Sequence, residues 1–390
     1  MRAMSDTMQE AMRLIRSGDL RAATRVLQQR VAQGSAAEKC AREVPIASRR
    51  RDAPFAAEAA SCVEGEFRVV AGDQPISVLR RNHADATDSP CRREHFTCSV
   101  GDLDYLLYIP ARLQGTRAPL LLMLHGCAQS PEDFALGTRM NLLARAHGYV
   151  VAYPQQSATR NRNRCWNWFR GSDQQRGLGE PAMLAALTCH LLAQHGLDER
   201  RVYVAGLSAG GAMAAVLANT HPDIYAAIGV HSGLPIGLAS DVPSAFAAMR
   251  TGKSSRPRRA VELAAKRVPA IVFHGDGDTT VHPRNGEGAI AQSLGAIDGG
   301  DGAQCTTTIE RGVAEGGRRY TRTLHVHGDR VNAEHWVTHG AAHAWSGGDP
   351  AGSYTDPSGP DASAHMLRFF TACARTAREQ VSHSNVGSQT

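Results

Sequence analysis

Hydrophobic and polar positions divide this chain into three stretches of different character. Between residues 7 and 31, Met8, Met12 and Ile15 fall on one helical face, Ser17-Gly18-Asp19 breaks the pattern, and Leu20, Ala23, Leu27 and Val31 resume it. Thr7 and Glu10 stand at capping-box spacing ahead of the first stripe. The pattern predicts a helical hairpin over residues 1–31, too short to be stable without something to pack on. Over residues 32–97 the periodicity fades into Ala, Arg, Ser and Asp, including Ser48-Arg49-Arg50-Arg51-Asp52, and this predicts a largely disordered linker.

From about Cys98 the pattern becomes that of a folded domain. Tyr105 to Pro110 reads as a first strand, and Leu120 to Leu124 as a strand buried on both faces. Apolar strands at Tyr149–Tyr153, Val202–Ala205, Tyr225–Val230 and Ala270–Phe273 then alternate with helices over about Glu180–His195 and Ala209–Thr220. A strand at His335–Thr338 and a closing helix over about Asp361–Ala374 complete the series. Such alternation predicts an α/β fold with a mostly parallel central sheet and crossover helices, spanning residues 98–375 and followed by a polar tail over 376–390.

A chain of 390 residues with 42% hydrophobic and 21% charged content can bury one large core and carry a small appendage. The net charge of +6 comes from basic residues spread along the chain rather than gathered in one run, which predicts solvated surface and not a nucleic-acid interface. No run of about eighteen apolar residues occurs, so no membrane-spanning helix is expected. The N-terminal residues lack the apolar core and small-residue cleavage site of a secretory signal. Nine cysteines, without paired C-x-x-C spacing, fit neither a disulfide framework nor a zinc site, and leave at least one thiol unpaired in a monomer.

The chemistry concentrates around Gly206-Leu207-Ser208-Ala209-Gly210, a G-x-S-x-G directly after an apolar strand and directly before an Ala-rich helix. Strand, tight turn and helix are the context of a nucleophile elbow in the α/β-hydrolase fold, with glycines where a side chain would collide with the neighbouring strand and helix. A serine hydroxyl is a weak nucleophile at neutral pH and needs a base, which in turn needs an orienting carboxylate. In this fold the order is Ser, acid, His. The acid candidates are Asp276 and Asp278 in His274-Gly275-Asp276-Gly277-Asp278-Thr279-Thr280-Val281. Asp278, further into the loop, is the expected acid, while Asp276 suits an Asx-type bond within the turn. The expected base is His343, in a glycine-bounded loop after the last strand. His335, His339 and His343 recur every four residues, but Trp336-Val337-Thr338 reads as strand, where that spacing separates neighbours by roughly 13 Å; no metal site is expected.

Ester attack builds charge on the carbonyl oxygen, and two backbone N–H groups usually stabilise it. Ala209 N–H is one expected donor and Cys127 N–H, in Leu124-His125-Gly126-Cys127-Ala128-Gln129, the other. Cys127 is also readable as a small buried residue or half of a disulfide, and both are compatible with donating its N–H. Trp166 and Trp168, in Cys165-Trp166-Asn167-Trp168-Phe169, suit a substrate platform, or alternatively anchors that pin a long loop.

From about Tyr105 to Phe370 the chain resembles the catalytic domain of the polyhydroxybutyrate (PHB) depolymerase family of esterases, which includes feruloyl and acetylxylan esterase-like members. The resemblance is carried by Leu124-His125-Gly126-Cys127, Tyr153-Pro154-Gln155, Cys165-Trp166-Asn167-Trp168-Phe169, Gly206-Leu207-Ser208-Ala209-Gly210-Gly211 and His343-Ala344-Trp345-Ser346-Gly347-Gly348, with His231-Ser232-Gly233 and Ala245-Phe246-Ala247-Ala248-Met249 in support. It implies Ser208, Asp278 and His343 as a triad, Cys127 in the oxyanion hole, a tryptophan of the Trp166/Trp168 pair at the cleft, and no cofactor. The substrate implied is a hydroxyalkanoate ester or oligomer, with feruloyl or acetyl esters of plant polysaccharide as the alternative. Outside the enzyme class, the second alternative is a polymer- or granule-binding protein without turnover. The resemblance implies an extracellular protein; the N-terminal pattern, lacking a signal, makes the cytoplasm the alternative. Secreted polymer-degrading members look like signal, catalytic domain, linker and polymer-binding domain, an arrangement not expected here.

Overall fold

The computed structural model describes residues 91–375 apart from 112, 114–116, 254–266 and 296–304; the hairpin predicted over 1–31, the linker up to residue 90 and the tail over 376–390 lie outside the described residues. In chain order the strands of the main sheet are β1 (Arg92–Cys98), β2 (Gly101–Tyr108), β3 (Leu120–Leu124), β4 (Val150–Pro154), β5 (Val202–Leu207), β6 (Ala227–His231), β7 (Ala270–Gly275), β8 (Cys305–Val313), β9 (Arg319–His327) and β10 (Arg330–Thr338). They hydrogen-bond in the order β1-β2-β4-β3-β5-β6-β7-β10-β9-β8. From β4 to β10 the pairings are parallel, and antiparallel hairpins extend both ends. A short parallel pair, β11 (Trp345–Ser346) and β12 (Thr355–Asp356), lies apart from this sheet.

Every residue of β3, β4, β5, β6 and β7 is buried. Period-2 alternation therefore sorts apolar side chains between two cores, not between core and water. Leu120, Leu122 and Leu124 join one core with Leu184 and Leu187 of α3 (Gly179–His195) and Met213 and Leu217 of α4 (Ala209–Thr220). Leu121 and Met123 join the other, with Phe134 of α1 (Pro131–Thr138), Met140 of α2 (Met140–His147) and Met366 and Phe370 of α7 (Ala362–Ala372). Two further helices, α5 (Val242–Thr251) and α6 (Arg284–Leu294), pack on the first face. The predicted mostly parallel sheet with helices on both sides is what forms.

The ordered domain begins earlier than the expected residue 98, because Arg92–Cys98 pairs with Gly101–Tyr108. Only Phe96 of β1 is buried, so this edge strand presents no hydrophobic alternation to read. The hairpin β8–β9 was likewise absent from the expected elements: residues 306–311 of β8 are exposed, and β9 has one buried residue, Arg322. Arg322 belongs to a buried ionic cluster. Glu334, fully buried on β10, accepts from Arg322 Nε at 2.7 Å, from Trp336 Nε1 at 2.7 Å and from Arg368 Nη2 of α7. The cluster joins β9, β10 and α7. Removing one member of a buried network leaves the others as uncompensated charge or donors. Glu334→Ala should accordingly lower stability by about 3 kcal/mol, read from urea denaturation; an unchanged midpoint would show that Arg322 and Arg368 reach solvent without loss.

Candidate active site

At Ser208 the chain leaves β5 and enters α4 with φ 57° and ψ −117°, a left-handed conformation rarely adopted by a non-glycine residue. Its flanking glycines are required by space. A Cβ on Gly206 would lie 2.4 Å from the backbone carbon of Gly210, and one on Gly210 would lie 2.0 Å from the Leu124 carbonyl oxygen. Backbone therefore packs directly on backbone around the turn, and Ser208 N–H donates to the His231 carbonyl at 2.8 Å. Holding a strained turn is possible because its surroundings over-determine it.

The loops that follow β7 and β10, adjacent parallel strands, emerge at the same sheet edge as the Ser208 turn. They bring Asp278 and His343 together: Asp278 Oδ2 lies 2.6 Å from His343 Nδ1. Asp278 Oδ1 accepts from Thr280 N–H at 2.8 Å and Val281 N–H at 2.9 Å. Burial alone would push this carboxyl up, but the hydrogen bonds from His274, His343 and Val281 hold it well below the usual carboxylate range. Asp276 makes no Asx-type bond of its own, contrary to expectation. Its half-exposed carboxylate reaches across to the other loop, with Oδ2 2.8 Å from His339 Nδ1 and Oδ1 accepting from Gly340 N–H at 2.6 Å. Asp278 makes the local Asx-type bonds instead. The three histidines spaced by four have different surroundings: His335 is half-buried in β10, His339 pairs with Asp276 and Thr321 Oγ1, and His343 pairs with Asp278. Among the described residues, no group of three or more His, Cys, Asp or Glu side chains is placed to hold a metal ion.

His231, which the sequence marks only as part of a matching motif, ties the Ser208 turn to the loop that carries His343. Its carbonyl holds Ser208 N–H, and its Nε2 accepts from Ser346 N–H, three residues past His343, at 2.9 Å. The ring stacks between Phe273 and Trp345, and burial drives its pKa well below the ordinary value, which keeps Nε2 available as an acceptor.

The turn after β3 is held from several sides. Gly126 N–H donates to Gln129 Oε1 at 2.9 Å, Ala128 N–H to Asn163 O at 2.8 Å, and Gln129 N–H to Gly126 O at 3.3 Å. Cys127 N–H has no acceptor among the described residues. Its thiol is bonded to Cys165, closing a 38-residue separation between this turn and the tryptophan loop. Among the described residues, Cys98, Cys189 and Cys373 form no disulfide. The platform expectation for the tryptophans is not met. Trp166 is fully buried, with Nε1 donating to the His125 carbonyl at 3.2 Å, and Trp168 is 6% exposed and packs edge-on to Phe169. Both anchor the loop, Trp166 by burial and its bond to His125 and Trp168 by packing on Phe169.

That loop is also held by Glu180, which the sequence marks only as the approximate start of a helix. Its buried carboxyl accepts from Asn167 N–H at 2.7 Å, and from the side-chain amides of Asn167 and Gln156. No hydrophobic periodicity signals such a residue.

Fold and site together define a protein of the α/β-hydrolase class. The acetyl xylan esterase of Aspergillus awamori shares this fold, with a TM-score of 0.55 and 18% identity, over 72% of this chain and 99% of that one. The family profile described as Esterase PHB depolymerase matches residues 103–311, and the chain belongs to that family. It is 33% identical over 206 residues to Poly(3-hydroxyalkanoate) depolymerase C of Paucimonas lemoignei, covering 51% of this chain and 49% of that protein. Feruloyl esterase B of Thermothelomyces thermophilus is 29% identical over 205 residues, 49% of this chain and 69% of that protein. The chain thus spans about half the length of the depolymerase it matches.

Burial pushes Glu180 up from 4.5 to about 6, against the hydrogen bonds it accepts. Between those values the folded state binds more protons than the unfolded, so the group's contribution to stability falls as pH rises. The loss through this window should reach about 2 kcal/mol. Denaturation of wild type and Glu180→Gln from pH 4 to 7 checks it: the pH slope assigned to Glu180 should vanish in the variant, and identical slopes would sink the assignment.

Proposed function

We propose that this protein hydrolyses carboxylic esters through an acyl-enzyme, with Ser208 as nucleophile, His343 as general base and Asp278 as the carboxylate that orients it. The observation carrying this reading is the 2.6 Å bond between Asp278 Oδ2 and His343 Nδ1 at the sheet edge where Ser208 is held in its left-handed turn. With Nδ1–H given to Asp278, His343 Nε2 is free to accept the Ser208 proton as Oγ attacks the ester carbonyl. The proton then passes to the departing alkoxide and an alcohol leaves. Water, deprotonated by the same Nε2, attacks the acyl-enzyme, and the carboxylic acid departs as Oγ recovers its proton. Cys127 N–H, which has no acceptor among the described residues, and Ala209 N–H, in the first turn of α4, are the proposed donors to the oxyanion. This chemistry requires neither metal nor cofactor.

Family membership supports short hydroxyalkanoate esters or oligomers as substrates. Esters of the feruloyl or acetyl type are the second reading, supported by the larger share of Feruloyl esterase B, 69% against 49% of depolymerase C, that the chain matches. The Cys127–Cys165 bond supports an oxidising, extracellular setting. Purified Ser208→Ala should lose at least about a thousandfold in kcat/KM on nitrophenyl esters and all labelling by a fluorophosphonate probe. Retained turnover would overturn the nucleophile assignment. Hydroxybutyrate oligomers assayed against methyl ferulate decide between the two substrate readings.

A further inference from the structure

Asp278 has a second histidine beside it. His274, on β7 four residues before the acid, is buried, and its Nε2 lies 2.8 Å from the Val281 carbonyl oxygen and 3.4 Å from Asp278 Oδ2. A carbonyl oxygen only accepts, so Nε2 carries the hydrogen. Nδ1 is buried without a partner among the described residues, and a Cβ on Gly286 of α6 would lie 2.9 Å from it. The geometry therefore aims the Nε2–H into the acid loop and leaves Nδ1 facing the helix.

We propose that His274 is a positioning residue for the proposed triad: its Nε2–H fixes the Asp278 carboxylate in the plane where it receives His343. The inference rests on Asp278 being the orienting acid. Two routes lead from the ring to that carboxylate. One is electrostatic: the oxygen that accepts from His343 lies 3.4 Å from His274 Nε2, whose hydrogen goes to the Val281 carbonyl. The other passes through Val281, whose carbonyl accepts from His274 while its N–H donates to Asp278 Oδ1. Rotation of the carboxylate would have to break both. The N–H beside Oδ2 also withdraws charge from the oxygen facing His343, so its loss should make the base harder to deprotonate. The ionisable groups around His274 are Asp278 on its own loop, His343 from the loop after β10, His335 from β10 and His231 from β6; Asp276 is turned away to His339.

The test compares His274→Phe, which keeps ring volume and loses the donor, with His274→Gln, which keeps an amide N–H near the Nε2 position. Both are read by kcat and KM on a nitrophenyl ester across pH 5–9, with urea midpoints in parallel and Asp278→Asn as reference. His274→Phe should lower kcat by about tenfold with KM within about twofold, and move the acid limb of kcat/KM upward by about half a pH unit. His274→Gln should recover most of kcat and restore the limb. Should the Phe variant not fold, His274→Asn, whose shorter amide falls away from Oδ2, takes its place with the same expectation. An unmoved acid limb with wild-type kcat in the donor-less variant would overturn the proposal, as would a Gln variant no better than Phe. Wild-type activity in Asp278→Asn would instead bring down the triad reading, and this inference with it.

Discussion

The site is organised by a close approach of backbone to backbone. Gly210 carries no Cβ where one would meet the Leu124 carbonyl oxygen at 2.0 Å and the His125 oxygen at 2.8 Å, and Gly206 faces Gly210 just as closely. The first turn of α4 can therefore lie against the end of β3. That single contact sets Ser208 and the turn bearing Cys127 next to each other, so the proposed nucleophile and oxyanion donors are positioned by main chain. Anything widening the gap would separate the two functions together. Trp166, Glu180 and the Cys127–Cys165 bond all hold the far side of the same turn.

A second constraint governs the acid and base. The loops after β7 and β10 are zipped by Asp276 N–H to Thr338 O and Gly277 N–H to Ala341 O, and a Cβ on Gly275 would strike the Ala341 carbonyl at 2.2 Å. Two carboxylates divide the work along this seam. Asp276, exposed, fixes residues 339 and 340; Asp278, buried, meets residue 343. The division follows from the turn at residues 276 and 277: an extended chain would send side chains two residues apart to one side, and the turn breaks that alternation.

How far this could be read beforehand depends on which physical signal each residue sends. Leu120–Leu124 and the motif around Ser208 were legible because double burial and glycine-permitted turns leave marks in adjacent residues. Chain order pointed to His343 and to Asp276 or Asp278, and position in the loop favoured Asp278, which is the one that meets His343. Edge elements were not legible: Arg92–Cys98 buries only Phe96, and residues 306–311 of β8 are exposed, Ile309 included. The tryptophans misled in an instructive way, since polar neighbours suggested an open loop. Their burial depends on Glu180 and Asn167, which satisfy the backbone of that loop and allow it to fold inward. Such partners act across distances in sequence that no local pattern spans.

The distribution of histidines around the site follows from the same accounting of donors and acceptors. His125, His231 and His274 are all buried, and each sets one ring nitrogen against a backbone group: His125 accepts Gln156 N–H, His231 accepts Ser346 N–H and His274 donates to Val281 O. Burial pushes His125 to about 4 and His231 well below the ordinary value, so both remain neutral in the range where an ester hydrolase works. A buried neutral imidazole is then a rigid spacer with one donor and one acceptor, suited to joining loops without adding charge near Asp278. His343 differs in keeping 12% of its side chain open to solvent while its partner carboxylate is fully enclosed. A general base must exchange a proton in each half-reaction, and the proposed base has the open side that the three buried rings lack. The environment, more than the residue type, therefore distinguishes the one histidine proposed to react from those that frame it.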